Sequence, residues 1–146
     1  MLKGIPHIIP PELLKILCEM GHGDRLVIAD ANFPAQSVGK NSIVLRMDGH
    51  GIPEILRAVL QLIPLDQYID QPVILMDRVD GDKADVSIWN IYDDIVAEYE
   101  TRGKELITKI ERFAFYEEAR TAYAIIATGE TSQYANIILQ KGCIIK

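Results

Sequence analysis

His22 lies between two glycines in Met20-Gly21-His22-Gly23-Asp24, at the junction of an expected helix and an expected strand. Glycine lets the backbone bend freely and lets a ligand come close, and imidazole gives and takes protons near neutral pH. That combination suits reversible acid–base work, although a histidine satisfying backbone groups at a helix end has the same local sequence. Asp30 follows the apolar run Leu26 to Ala29, at the carboxyl end of the expected strand, where ligands bind in open α/β sheets. A carboxylate there can grip two sugar hydroxyls, fix a histidine tautomer, or close an Asx turn over Asn32-Phe33. His22 and Asp30 therefore stand at the two ends of one short buried segment, and the fold decides whether they share a pocket.

Two further stretches carry groups of the right kind. Arg112-Phe113-Ala114-Phe115-Tyr116-Glu117 joins a planar five-donor cation to aromatic rings, which fits a polyol with apolar faces and hydroxylated edges. The alternative is a helix start with core phenylalanines and an arginine paired at the surface. Tyr134-Ala135-Asn136 places two hydrogen-bonding side chains two residues apart, on one side of the chain if it is extended. A turn followed by a sheet-edge residue reads the same way. The competing metal constellation, His7, His22, His50 and Asp30, has no HxH, HxxxH or HExxH spacing. GxGxxG, GxxxxGK[ST] and GxSxG are absent too, so neither a metal nor a cofactor is expected.

The elements that must position these groups follow from periodicity. Pro10-Pro11-Glu12 opens a helix with Leu13, Leu14, Ile16, Leu17 and Met20 on its apolar face, ending at Gly21. Arg25–Ala29 is expected as a buried strand, 32–39 as a loop and 42–47 as a second strand. A helix opens at Ile52-Pro53-Glu54 and closes at Pro64, and 72–76 is a third strand followed by a polar surface loop at 77–83. Ile88, Ile91, Tyr92, Ile95 and Tyr99 recur at helical spacing. Beyond them, 106–110 alternates like a strand, 113–120 like a helix, 122–127 like a strand and 136–139 like a last strand. Apolar strands alternating with amphipathic helices predict a single α/β layered domain over 1–146, a mainly parallel or mixed sheet covered by helices. The stretch from Ala127 to Asn136 has no room for a crossover helix, which favours the mixed sheet.

Composition narrows the partners. A chain of 146 residues that is 49% hydrophobic suffices for one core, and 15 basic against 21 acidic side chains give a net charge of −6. With no basic stripe, nucleic acid is not an expected partner. The longest apolar runs fall far below the roughly 20 residues of a membrane span. The N-terminus does not read as an export signal, so a cytoplasmic location is the expectation. Cys18 and Cys143 have neither metal-finger nor CxxC spacing and are expected as free, buried structural thiols.

In order along the chain, Pro11-Glu12-Leu13-Leu14, Met20-Gly21-His22-Gly23-Asp24, Asp30-Ala31-Asn32-Phe33-Pro34-Ala35, Arg112-Phe113-Ala114-Phe115-Tyr116-Glu117 and Gly129-Glu130 with Tyr134-Ala135-Asn136-Ile137-Ile138-Leu139 resemble the ribose pyranase and fucose mutarotase family. Arg112-Phe113-Ala114-Phe115-Tyr116 favours the fucose branch. The resemblance implies a metal-free, cofactor-free isomerase that interconverts monosaccharide anomers, an α/β fold, and homo-oligomeric rings, often stacked as decamers, with active sites near subunit contacts. It implies His22 as the proton donor and Asp30, Arg112, Tyr134, Ala135 and Asn136 as sugar-contacting positions, Ala135 through its backbone. His7, His50 and the loop at 77–86 have no matched role. Two other readings stay open: a ribose pyranase-like exchange of pyranose and furanose forms, and a non-catalytic sugar-binding regulatory subunit.

Overall fold

The computed structural model describes residues 1–146 and contains one six-stranded sheet in the order β2-β5-β1-β6-β3-β4. Its strands are β1 (Arg25–Ala29), β2 (Ile43–Met47), β3 (Val73–Met76), β4 (Ile107–Ile110), β5 (Ala124–Thr128) and β6 (Ile137–Gln140). The helices are α1 (Pro11–Glu19), α2 (Ala35–Val38), α3 (Ile52–Leu60), α4 (Ile88–Tyr99) and α5 (Arg112–Arg120), with a 3-10 turn over Gly103–Leu106. No helix is long and apolar enough to cross a membrane.

Five strands run in one direction and β6 runs against them, pairing antiparallel with both β1 and β3. The mixed sheet expected from the short link before β6 is therefore present. One consequence governs the site: the start of β6 arrives at the same sheet edge where β1, β3 and β4 finish.

Alternation along the strands sorts side chains onto two faces. Leu26, Ile28, Ala124, Ile126, Ile137 and Leu139 enter the larger core with α1, α3 and α4. Val27, Ala29, Ile125, Ala127 and Ile138 face the smaller one, with Phe33, Val38 and Phe115 from the α2 and α5 side. Because both faces are covered, the central strands read as continuous apolar runs, which is why Arg25–Ala29 was recognisable at its true bounds.

Two expectations need correction. Residues 32–39 contain the four-residue helix α2, which is too short to show a period and follows Pro34. Of the two cysteines expected to be buried, Cys18 is exposed and Cys143 only half-buried. Cys18 lies on α1, where Leu13, Ile16 and Leu17 take the buried positions.

Candidate active site

At the edge where β1 ends and β6 begins, Asp30, Arg112, Tyr134 and Asn136 line a cavity of about 290 Å³ together with Asn32, Phe33, Met76 and Asp82. Asp30 arrives from the end of β1 and is only 8% exposed. Its backbone N–H donates to Asn136 Oδ1 at 2.7 Å, and its Oδ1 accepts from the Asn32 N–H at 3.0 Å. Burial pushes the Asp30 carboxyl above the ordinary carboxylate range, and the N–H groups of Asn32 and Phe33 and the Asn136 amide offset only part of that rise. The Asx turn weighed for Asp30 is thus real, and it coexists with a place in the cavity.

Arg112 is the first residue of α5, which is capped by Glu111 accepting from the N–H groups of Phe113 and Ala114. Its guanidinium lies 5.5 and 5.6 Å from the ring centres of Phe113 and Tyr116, so the cation is shelved on aromatic faces.

Tyr134 is the one non-glycine residue with positive φ, at 54°. Such a conformation costs on the order of 1–3 kcal/mol and persists only where neighbours over-determine it. Here α4 supplies the restraint: Trp89 Nε1–H donates to the Tyr134 carbonyl at 2.9 Å, and the Tyr92 hydroxyl donates to the Ala135 carbonyl at 2.7 Å. Burial, with the charges of Glu130 and Asp30, pushes the Tyr92 phenol far up, so it remains a donor. Ala135 is fully buried and offers backbone only, and Asn136 is 4% exposed with its amide against Asp30.

His22 lies elsewhere. It precedes β1 at the opposite edge, in a hollow of about 520 Å³ lined by Leu14, Leu17, Met20, Leu62, Ile63 and Lys141 among others. No residue lines both this hollow and the Asp30 cavity. Five residues of β1 separate the two, roughly 16 Å at about 3.3 Å per residue.

The imidazole Nε2 is 3.1 Å from Asp66 Oδ1, and Asp66 is 3% exposed while the His22 side chain is 44% exposed. A carboxylate can only accept, so Nε2 carries the proton and Nδ1 is left for a ligand. Asp66 also accepts from the Tyr68 N–H at 2.9 Å and from Gln140 Nε2 at 2.9 Å. Burial alone would push the Asp66 carboxyl up; the Tyr68 N–H, the Gln140 amide and His22 together hold it below the ordinary range. Gln140 is oriented in turn by Arg25 Nε, which donates to its Oε1 at 3.0 Å across the β1–β6 pair. Arg25 is paired with Glu118 on α5, the helix that begins with Arg112.

Local chain geometry exposes His22. Gly23, with φ of +86°, turns the chain into β1. Lys141 Nζ takes the last carbonyls of α1, donating to Leu17 O at 2.8 Å and Met20 O at 2.5 Å.

The structure therefore brings four of the six candidate residues to one cavity, with Ala135 buried between Tyr134 and Asn136, and leaves His22 at the other edge. His50 is bonded to Glu54 at 3.0 Å near the start of α3, and no three His, Cys, Asp or Glu side chains converge as a metal ion requires. Sequence reading passed over Asp66, Asp82, Trp89, Tyr92 and Gln140. Asp66 sits in Pro64-Leu65-Asp66, which resembles any helix exit, and Asp82 sits in an acidic loop with the pattern of a solvated turn. Tyr92 was visible only as part of an apolar stripe.

Comparison with known proteins places these features in a lineage. A model of the RbsD / FucU transport protein family matches residues 3–144. The fucose mutarotase of Mus musculus is 47% identical over 147 residues, spanning 98% of this chain and 95% of its own. FucU from Bifidobacterium longum superposes with a TM-score of 0.97 at 61% identity, covering 98% of this chain and all of that one. The fucose mutarotase from Streptococcus pneumoniae, solved in complex with L-fucose, gives 0.92 at 48% identity and covers 99% and 100%.

Proposed function

The chain belongs to the RbsD / FucU transport protein family, and from that premise we propose that it interconverts the α and β anomers of L-fucose. It is an isomerase acting on a monosaccharide, and residues 1–146 form one mutarotase domain. The observation that carries this reading is the cavity in which Asp30, Arg112, Tyr134 and Asn136 meet. Their counterpart fold in the pneumococcal relative was solved with L-fucose.

Exchange of anomers requires the ring oxygen to gain a proton while the anomeric hydroxyl loses one. The bond from C1 to the ring oxygen then breaks, the aldehyde rotates, and closure on the other face reverses the transfers. No electron or phosphoryl group moves, so no cofactor is assigned. Arg112 gives up to five donors, Asp30 accepts, and the Asn136 amide does both, which matches the edges of a polyol. Phe33 and Tyr116, 5.6 Å apart between ring centres, offer the faces. As an imidazolium, with its Nε2–H tied to Asp66, His22 supplies its Nδ1 proton to the ring oxygen and is left as the neutral Nε2–H tautomer, ready to take the proton back on ring closure.

One copy holds the donor and the sugar cavity at opposite edges, so we assign the complete site to a contact between copies. That contact joins unlike surfaces, and repeated head-to-tail contacts close as a ring when the rotation permits. The apolar hollow around His22 and the exposed Ile144 beside it suit burial against a second copy. A homo-oligomeric ring, stacked as a decamer and located in the cytoplasm, completes the proposal.

NMR exchange spectroscopy on equilibrated L-fucose tests the activity: the protein accelerates α/β exchange, and a rate left at its uncatalysed value overturns the reading. The same measurement on D-ribose separates a pyranase-like preference. Saturable fucose binding without acceleration would make the chain a binding subunit.

A further inference from the structure

Asp66 holds His22 only as firmly as Asp66 is itself held, and the side chain that fixes it stands at the end of β6. Arg25, the first residue of β1, and Gln140, the last of β6, are cross-strand partners, so their side chains leave the sheet together, on the face that α5 covers. Gln140 binds the Asp66 segment twice: its carbonyl accepts from the Asp66 N–H at 3.0 Å, and its Nε2 donates to Asp66 Oδ2 at 2.9 Å. Its own N–H donates to the Pro72 carbonyl at 2.8 Å, just before β3.

A primary amide has a donor end and an acceptor end, and only the donor end can meet a carboxylate. Arg25 decides which end that is. Its Nε–H can only donate and lies 3.0 Å from Gln140 Oε1, so the amide NH2 is turned to Asp66. Glu118 on α5 pairs with the same guanidinium and holds it over the strand ends. The reversed amide would set Oε1 against Asp66 Oδ2 and NH2 against the guanidinium, two repulsions in place of two hydrogen bonds. With Oδ2 occupied by Gln140, Asp66 Oδ1 accepts from the Tyr68 N–H and from His22 Nε2. The other charged groups nearby are engaged elsewhere: Asp24 with the Gly21 N–H at 2.7 Å, Glu100 with the Leu65 N–H at 3.0 Å, and Lys141 with the carbonyls of Leu17 and Met20.

Resting on the mutarotase reading above, we propose that Gln140, locked in one amide orientation by Arg25, is a positioning residue that keeps the neutral His22 ring in its Nε2–H tautomer. Gln140 exchanges no proton and lines neither the sugar cavity nor the His22 hollow. Its effect passes through Asp66. When His22 gives its Nδ1 proton to the ring oxygen, the remaining proton must stay on Nε2 if Nδ1 is to take a proton back on closure. A carboxylate free to turn would release Nε2 and let the ring redistribute that proton, leaving Nδ1 blocked for the return step. The pairing of Arg25 with Gln140 exists because β6 runs against β1, so the strand reversal that builds the sugar cavity at one edge also orders the imidazole at the other.

The test combines Q140L, R25M and the double variant, each assembled as the full protein, with L-fucose exchange kinetics and 15N NMR of the His22 ring at a pH above its titration. Q140L leaves Asp66 Oδ2 bare in a buried position. It is expected to slow saturated exchange roughly 10 to 100-fold while KM changes less than about threefold, and its ring nitrogens report an Nδ1–H population that wild type lacks. R25M alters a side chain that is 25% exposed and frees the amide to turn, so it gives a smaller loss of the same kind, roughly threefold to tenfold. The double variant is no slower than Q140L, because Arg25 works through the amide. If Q140L does not fold, R25M decides through the same rate and 15N readouts. Saturated rates within about twofold of wild type, a loss carried by KM, a neutral wild-type ring protonated at Nδ1, ring nitrogens unmoved by the substitutions or additive losses in the double variant would each overturn the assignment. An inert wild type removes the mutarotase reading and this one together, whereas an active wild type with undiminished variants removes this one alone.

Discussion

At one edge of the sheet, Asp30, Arg112, Tyr134 and Asn136 face one another across a polar cavity, while at the other His22 and Asp66 stand in a hollow walled by Leu14, Leu17, Leu62 and Ile63. Each edge has one nearly buried carboxyl group, and the two are perturbed in opposite directions. Burial dominates at Asp30 and raises it; hydrogen bonds from Tyr68, Gln140 and His22 dominate at Asp66 and lower it. The difference matches a division of labour in which one edge holds hydroxyls and the other keeps an anion beside an imidazole. Neither edge is a complete catalyst, and that incompleteness is the physical reason for assigning the site to a contact between copies.

The sharpest way to break this comparison is to disable each edge separately. His22→Ala should reduce fucose exchange by about 10² to 10⁴-fold while ligand-detected NMR still reports fucose binding within a few-fold of wild type. Equal loss of rate and affinity would merge the two regions into one. Arg112→Ala should do the reverse, weakening fucose binding by roughly 10 to 100-fold, the equivalent of about 1.5–3 kcal/mol for a charged hydrogen bond. If the two edges meet between copies, co-assembly of the two inactive variants restores activity in mixed rings, because some contacts then pair an intact His22 with an intact Arg112. Mixed assemblies as inactive as their parents would argue for a site within one copy.

A smaller effect probes how the polar edge is held. Tyr92→Phe leaves the buried Ala135 carbonyl without its donor and should cost about 1–3 kcal/mol in urea unfolding, with a raised KM for fucose as the Tyr134 backbone loosens. The smallest effects separate the two carboxylates. Asp66 has its folded-state pKa below the unfolded value of about 3.9. Its contribution is present above that pH and is lost as pH falls through the folded value. Asp66→Asn should thus be less stable than wild type at pH 7, with the gap closing in acid. Asp30 is shifted the other way, so its contribution is present below about pH 3.9 and is lost as pH rises through the raised folded value. Asp30→Asn should gain stability at neutral pH and converge with wild type in acid. Urea titrations from pH 3 to 8 decide both signs.

Much of the frame was legible because burial imposes local patterns. Arg25–Ala29 and Ile88–Tyr99 form the strand and helix that their apolar spacing indicated, and the short link before Ile137 indicated a mixed sheet, in which β6 is the reversed strand. The same reading missed α2 because four residues do not complete a measurable period. Gly49-His50-Gly51 repeats the tripeptide around His22, and only contacts distinguish the two: His50 meets Glu54 in the first turn of the helix that follows it, whereas His22 meets Asp66 across 44 residues.

By itself the sequence determined the layered α/β class and the alternation that fills two cores, which are consequences of spacing, and spacing is local. It also carried the resemblance that implied Asp30, Arg112, Tyr134, Ala135 and Asn136 as site residues. Only the tertiary structure decided that the reversed β6 carries Tyr134 and Asn136 to the edge where β1 delivers Asp30, that α4 clamps their backbone, and that His22 belongs to the opposite edge with Asp66. Those facts depend on strand direction and pairing across the whole chain, which local periodicity leaves free.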